Sequence, residues 1–225
     1  MPRIPSLRTD VRVRTVALAV AVAVAAYVAL PAAAAESPAA DFAAAWSAID
    51  NYTATIATHE TNGKDTQDRV YHYAYKKPHF AKIDIVSGPG RGGGAVWTGG
   101  DHVKGHQGGI VSFVKLSISI TDGRATSLRG DTIDRGSFQS IADDLKSGKV
   151  ESVTTIATVD GVPSDLVTID LVPAAPGGVT RSLVAFARNT HLPVRRTSFA
   201  SDAQVKQEDF SEVKLNAGLT EADFR

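Results

Sequence analysis

Six histidines, His59, His72, His79, His102, His106 and His191, are the side chains of this 225-residue sequence best suited to proton or metal chemistry near neutral pH, and there is no cysteine. Lack of thiols removes disulfides, iron–sulfur clusters and thiolate zinc sites. Asp101, His102 and His106 stand close together, but four-residue histidine spacing in a glycine-rich strand and turn does not bring both rings to one helical face, as a His-Glu-x-x-His pair does. No serine sits in a Gly-x-Ser-x-Gly elbow, so nucleophilic hydrolase chemistry has no support. Gly88-Pro89-Gly90-Arg91-Gly92-Gly93-Gly94 has the composition of a phosphate cradle. Pro89 lacks an amide donor, however, and the segment runs into Ala95-Val96-Trp97 instead of a helix N-terminus, so a hairpin loop is expected. Arg129-Gly130-Asp131 matches an adhesion tripeptide and reads as a turn, as do Asp122-Gly123 and Asp160-Gly161. The sequence predicts no catalytic residue, no metal site, no cofactor and no enzyme.

What remains is a set of apolar and aromatic side chains whose chemistry is burial. Phe42, Trp46, Ile49, Tyr73, Tyr75, Phe80, Ile83, Ile85, Trp97, Phe113, Phe138 and Ile141 are the candidate lining of a ligand cavity. Each methylene of an acyl chain buried against such a wall contributes ~0.8 kcal/mol, so no reactive group is needed for affinity. The competing expectation is that these residues simply form a filled core.

The elements that must position them follow from periodicity. Ser37 is an N-cap and Pro38 the first helical residue, ahead of Phe42, Trp46 and Ile49 at helical spacing. From Asn51 the period becomes two, with Tyr52, Ala54 and Ile56 on one face, and Asn62-Gly63 makes a turn. Further strands are expected over Val70–Lys77, Phe80–Val86, Ala95–Trp97, His102–Lys104 and Ile110–Ile120. A second helix follows over Ser137–Lys146 with Phe138, Ile141, Ala142 and Leu145 on one side. Strands over Val150–Val159, Leu166–Val172, Val179–Ala187, Pro193–Phe199 and Val205–Leu215 complete about nine to eleven strands. An antiparallel meander that long curls, and the helix before it and the helix inserted in it can cover the concave face. The fold class is α+β: a curved antiparallel sheet forming an unclosed, half-open β-barrel, with an N-terminal helix and an inserted helix as lid.

Lys+Arg and Asp+Glu number 24 each, giving zero net charge and no electrostatic footprint for nucleic acid. Arg3, Arg8, Arg12 and Arg14 precede the apolar run Val16–Leu30, then Pro31 and the small pair Ala33 and Ala35. This is the pattern of a secretory signal peptide over 1–35 cleaved after Ala35, with a single domain over 36–225; an uncleaved anchor is the alternative. Cleavage removes four Arg and one Asp, leaving 20 Lys+Arg against 23 Asp+Glu, or net −3. The periplasm is the expected compartment.

Gln204–Phe224, with Glu208-Asp209-Phe210-Ser211-Glu212-Val213-Lys214-Leu215-Asn216, Gly218-Leu219 and Asp223-Phe224, resembles the closing strand and tail of the LolA-like superfamily of periplasmic lipoprotein- and lipid-binding proteins. Tyr75-Lys76-Lys77-Pro78 before a strand, and Val96-Trp97 followed by Gly100-Asp101-His102-Val103, are similar in order. The resemblance implies an unclosed β-barrel with a helical lid and a hydrophobic cavity for acyl chains, without catalysis. It implies a lipid or acylated lipoprotein as partner, with an inner-membrane donor and an outer-membrane acceptor. Lipoprotein carriers of this family typically have an arginine in the strand after the proline, which controls the lid through hydrogen bonds. Here that strand offers Lys82, after His79 and Phe80, and a lysine lacks the planar fork of arginine. A general periplasmic lipid or lipoprotein binder is therefore expected over a dedicated carrier. An envelope sensor or interaction module on the same fold, and a ligand-free structural envelope protein, are the alternatives.

Overall fold

The computed structural model describes residues 37–108 and 115–225. The expected export segment and Phe113 lie outside the described residues. Helix α1 (Pro38–Ser47) begins on proline, whose ring presets the helical φ where no amide partner is needed. Ile49 falls just past its end, its amide donating to the Trp46 carbonyl. The first half of the sheet is β1 (Asn51–Asn62), β2 (Asp65–Lys76), β3 (Phe80–Ser87), β4 (Gly94–Trp97), β5 (His102–His106) and β6 (Lys115–Ser119). A long crossover then carries a 3-10 turn (Ile133–Gly136) and helix α2 (Phe138–Ser147). The second half is β7 (Lys149–Val159), β8 (Val162–Ala175), β9 (Val179–Ala187), β10 (Pro193–Ala200) and β11 (Ala203–Leu215), followed by a terminal 3-10 turn (Glu221–Phe224).

All eleven strands of the described residues form one antiparallel sheet in the order β6-β5-β4-β3-β2-β1-β11-β10-β9-β8-β7. The two halves meet at its centre, where β1 pairs with β11 through Ile56 opposite Phe210 and Thr58 opposite Glu208. β6 and β7 are its two edges and do not pair with each other, so the barrel is unclosed. This order decides where the lid goes. The segment joining β6 to β7 must travel from one edge to the other, and its apolar side can be buried only across the face where the apolar strand residues point. The sequence expectation of an unclosed antiparallel half-barrel with two helices is the fold found. β2 starts five residues before the expected Val70, and β6 covers only Lys115–Ser119 of the expected Ile110–Ile120, residues 109–114 being outside the description.

Strand alternation puts Tyr52, Ala54 and Ile56 of β1 and Tyr71, Tyr73 and Tyr75 of β2 on the same face, since these residues oppose one another in the register. Ala81, Ile83 and Ile85 of β3 extend that face. The helices cover its apolar end. Phe138 stacks on Tyr52 with ring centroids 4.3 Å apart, Trp46 meets both rings edge-on near 6 Å, Phe42 lies 4.9 Å from Phe186, and Phe210 closes on Phe138 at 5.4 Å. Such pairs contribute ~0.5–1.5 kcal/mol each beyond burial of their area. The Ser137 hydroxyl caps α2 by accepting from the Ser140 amide at 3.1 Å, and Gly148 ends it.

Candidate functional site

Along each central strand the concave face changes character. β1 runs from Tyr52, Ala54 and Ile56 to Thr58 and Glu60; β2 runs from Tyr75, Tyr73 and Tyr71 to Arg69 and Gln67; β11 runs from Phe210 to Glu208 and Lys206. The aromatic end is filled by the helices. The polar end is crossed by the loop 121–136, and between loop and sheet lies a cavity of about 630 Å³. Tyr71, Tyr73, Ile83, Ile85, Ala95 and Ile133 give it an apolar wall. Thr58, Glu60, Gln67, Asp131 and Lys206 form its polar side, and Arg69, Arg91 and Arg124 also line it.

The loop is tied down chiefly through backbone and charge. Tyr73 donates its hydroxyl to the Ile133 carbonyl at 3.0 Å, and the Leu128 amide donates to Glu60 at 3.0 Å. Arg129 donates to the carbonyls of Thr61 and Gly177, so the Arg-Gly-Asp tripeptide is consumed in holding the loop. Its Asp131 pairs with Lys206 at 2.7 Å. Asp122 holds Arg124 in a two-point pair at 2.9 and 2.8 Å. The Gly88–Gly94 segment is a hairpin loop, as expected. The amides of Arg91, Gly92 and Gly93 donate to carbonyls of Gly88, Ile85 and Gly90, which leaves those three unable to cradle a phosphate. Gly88 has φ +87 there, and a Cβ on it would sit 2.0 Å from the Asp68 carbonyl oxygen, so only glycine fits.

Beneath the crossover the sheet carries a buried ionic cluster. Arg196 of β10 pairs with Glu208 at 2.5 Å, donates to the Ser140 hydroxyl of α2 at 2.9 Å, and donates to the Arg135 carbonyl at the start of the lid. Lys206 lies 3.1 Å from Glu60 and 3.1 Å from Glu208. Arg135 forms a two-point pair with Asp144 at 3.0 and 2.9 Å. Burial opposes the charge on Glu208, but Arg196 and Lys206 outweigh it and hold the carboxyl below its ordinary range. Burial likewise disfavours charge on Lys206, and Glu208, Asp131 and Glu60 together push its ammonium up instead. Asp131 is held low chiefly by Lys206 against the same burial cost.

Of the sequence-selected lining residues, Tyr73, Ile83 and Ile85 reach the cavity. Phe42, Trp46, Ile49, Tyr75, Phe138 and Ile141 are at most 5% exposed and belong to the filled core between helices and sheet. Trp97 opposes Ala81 and is half-buried, its indole donating to the Gly100 carbonyl at 2.7 Å. Phe80 alternates to the other face of β3, where it packs 5.7 Å from Phe224. Lys82 shares that face and lies 3.8 Å from Asp84, away from the lid. The arginine reaching the lid is Arg196 of β10, across the centre of the sheet from β3. Period-two spacing of Lys206 and Glu208 with Phe210 was the available signal for the cluster. Two inward charges beside an inward aromatic require buried partners.

His102 pairs weakly with Asp101 at 3.9 Å, and His106 is four residues further along the same extended strand, roughly 13 Å away at strand spacing. Among the described residues no three His, Asp or Glu side chains converge as a metal site, and no helix is long and apolar enough to cross a membrane.

Fold and cavity together define a class: an unclosed antiparallel half-barrel with a helical lid, the architecture that the LolA-like resemblance implies. No protein-family model matches the chain, and no curated protein matches it. Among solved structures it is similar to an uncharacterised conserved protein from Thermus thermophilus, with TM-score 0.51 and 9% identity over 84% of this chain and 93% of that one. A DUF1329 family protein from Desulfovibrio piger aligns with TM-score 0.49 and 13% identity over 84% and 95%. A domain named for outer membrane lipoprotein sorting, from Vibrio parahaemolyticus, aligns with TM-score 0.48 and 11% identity over 84% and 94%. At 9% identity the likeness to the Thermus protein is one of fold alone.

Proposed function

We propose that the protein is a non-catalytic binder of lipid or acylated ligands, exported to the periplasm by a segment cleaved after Ala35, and that the cavity between loop 121–136 and strands β1–β4 is its binding site. The observation that carries this reading is the cavity itself: about 630 Å³ in volume, apolar along Tyr71, Tyr73, Ile83 and Ile85, and set beside a filled core. That volume lies in the ~300–1,000 Å³ range of ordinary ligand pockets. Burial of a chain against this wall supplies affinity at ~0.8 kcal/mol per methylene without any reacting group. The unclosed sheet supports the reading further, because a lid crossing an open concave face gives an acyl chain a route in from the edge.

Native mass spectrometry of the protein purified from periplasm without detergent, followed by organic extraction, tests the proposal. A discrete bound lipid in the wild type, lost in a folded Ile83→Asp variant, is the expected result. A clean apo mass together with failure to take up lipids added in vitro would overturn it and favour an interaction or structural role.

A further inference from the structure

The cavity is not uniformly apolar, and its charges are unevenly paired. Asp131, Glu60 and Glu208 converge on Lys206, with Arg196 completing the cluster, so each charge on the inner side has an opposite charge within ion-pair distance. Arg124 is occupied by Asp122. Arg69 and Arg91 differ. Arg69 is half-buried on β2, directly beyond Tyr71 on the same face, and its Nε donates to the Pro89 carbonyl at 2.9 Å. That bond draws the guanidinium toward the glycine loop that carries Arg91. Among the described residues no carboxylate lies within ion-pair distance of either guanidinium, and both residues line the cavity. Two unneutralised cations at one end of an apolar wall form half of an ion-pairing site whose anion would come from a ligand.

We infer that the cavity selects a single-chain anionic amphiphile, its chain against Tyr71, Tyr73, Ile83 and Ile85 and its anionic oxygens accepting hydrogen bonds from Arg69 and Arg91. This rests on the lipid-binding reading above and narrows it. The volume sets the chain count: a methylene fills about the space of a liquid water, ~30 Å³, so 630 Å³ holds roughly twenty heavy atoms. That is the size of one enclosed long chain with its headgroup at the open end beside Arg91, and too little for two enclosed chains. A guanidinium presents planar paired donors to either a carboxylate or a phosphate, so a fatty acid and a lysophosphatidic acid share the recognised chemistry. The pair is open to solvent at Arg91, so the headgroup contribution weakens as salt is added.

Displacement of the neutral dye Nile red from the delipidated exported protein, at low and high salt, tests this. The probes are palmitate, palmitoyl lysophosphatidic acid, hexadecanol and dipalmitoyl phosphatidylglycerol. The expected result is that the single-chain anions bind at least about tenfold more tightly than hexadecanol, a difference of about 1.4 kcal/mol. That margin should shrink at high salt and vanish in an Arg69→Gln/Arg91→Gln variant that still binds hexadecanol. An Arg124→Gln variant should keep it. Palmitate and lysophosphatidic acid differ from each other only if headgroup size matters, and preference for either over hexadecanol supports the inference. Hexadecanol binding as tightly as palmitate, or the two-chain phosphatidylglycerol binding more tightly than both single-chain anions, overturns it while leaving lipid binding in place. Failure of every probe to displace the dye overturns the lipid-binding reading as well.

Discussion

Glu208 lies in the middle of the sheet, fully buried, with Arg196 on one oxygen and Lys206 beside the other. Its stabilising value depends on its partners, because removing one member of a buried ionic group leaves the others unpaired in a poorly solvating interior. Glu208→Ala is expected to destabilise the protein by ~3–5 kcal/mol, measured by urea denaturation; an effect under ~1 kcal/mol would mean that water reaches the site. The same residue sets a pH dependence. Its carboxyl, like that of Asp131, is held below its ordinary range in the folded protein. The unfolded chain therefore binds protons first as pH falls, and the stability contributed above the ordinary carboxylate range near pH 4–4.5 is lost below it. Thermal melts from pH 7 to pH 3 should show the midpoint falling below about pH 5, with a shallower slope in Glu208→Gln. The lysine works in the opposite sense. Its raised pKa keeps its contribution intact through neutral pH, to be lost only in strong base. Trp46, 5% exposed within the aromatic core, tolerates no charge, whereas Ile83 lies on the cavity wall, where a polar replacement meets solvent.

Helix α2 illustrates the element scale, because a ten-residue helix is marginal alone and owes its stability to what it touches. Its start is fixed by the Ser137 cap, and Ser137→Ala should cost about 1 kcal/mol in chemical denaturation. Phe138 stacks on Tyr52, and its amide donates to the Tyr52 hydroxyl at 3.0 Å. Phe138→Ala should therefore cost ~3–5 kcal/mol and raise dye-accessible apolar surface, both measurable on one preparation. A loss below that of Ser137→Ala would mean that the lid is not packed as described. Boundaries of both helices were legible in the sequence within a residue or two, since Pro38, Ser137 and Gly148 act through local backbone chemistry. The strands over Val179–Ala187 and Pro193–Phe199 were legible for the same kind of reason, with alternation bounded by turn residues. The face of Phe80 was not. Its aromatic character suggested the interior, but the phase of β3 is set by Ala81 opposite Tyr75, and Phe80 is carried to the other side.

At the scale of the whole molecule, one sheet supports one core: β1 and β11 join the two halves at the centre, and the helices pack across both. Neither half has a second core on which to persist alone. Unfolding is expected to be a single cooperative transition, with fluorescence of Trp46 and Trp97 and far-ultraviolet circular dichroism giving coincident curves. Separated curves would mean that the β1–β6 half melts independently. Composition, alternation and turn residues by themselves determined the kinds and order of elements, an antiparallel sheet long enough to curl, and a lack of catalytic motifs. These properties rest on interactions among residues near in sequence. Only the tertiary structure decided which aromatics fill the core and which border a cavity, because the helices can occupy only one end of the concave face. It also decided that Arg196, Lys206, Glu208, Glu60 and Asp131 meet, although they span residues 60–208. Bringing charges so distant in the chain to one buried point depends on strand register and on the crossover between the sheet edges, and neither is written in any local stretch of sequence.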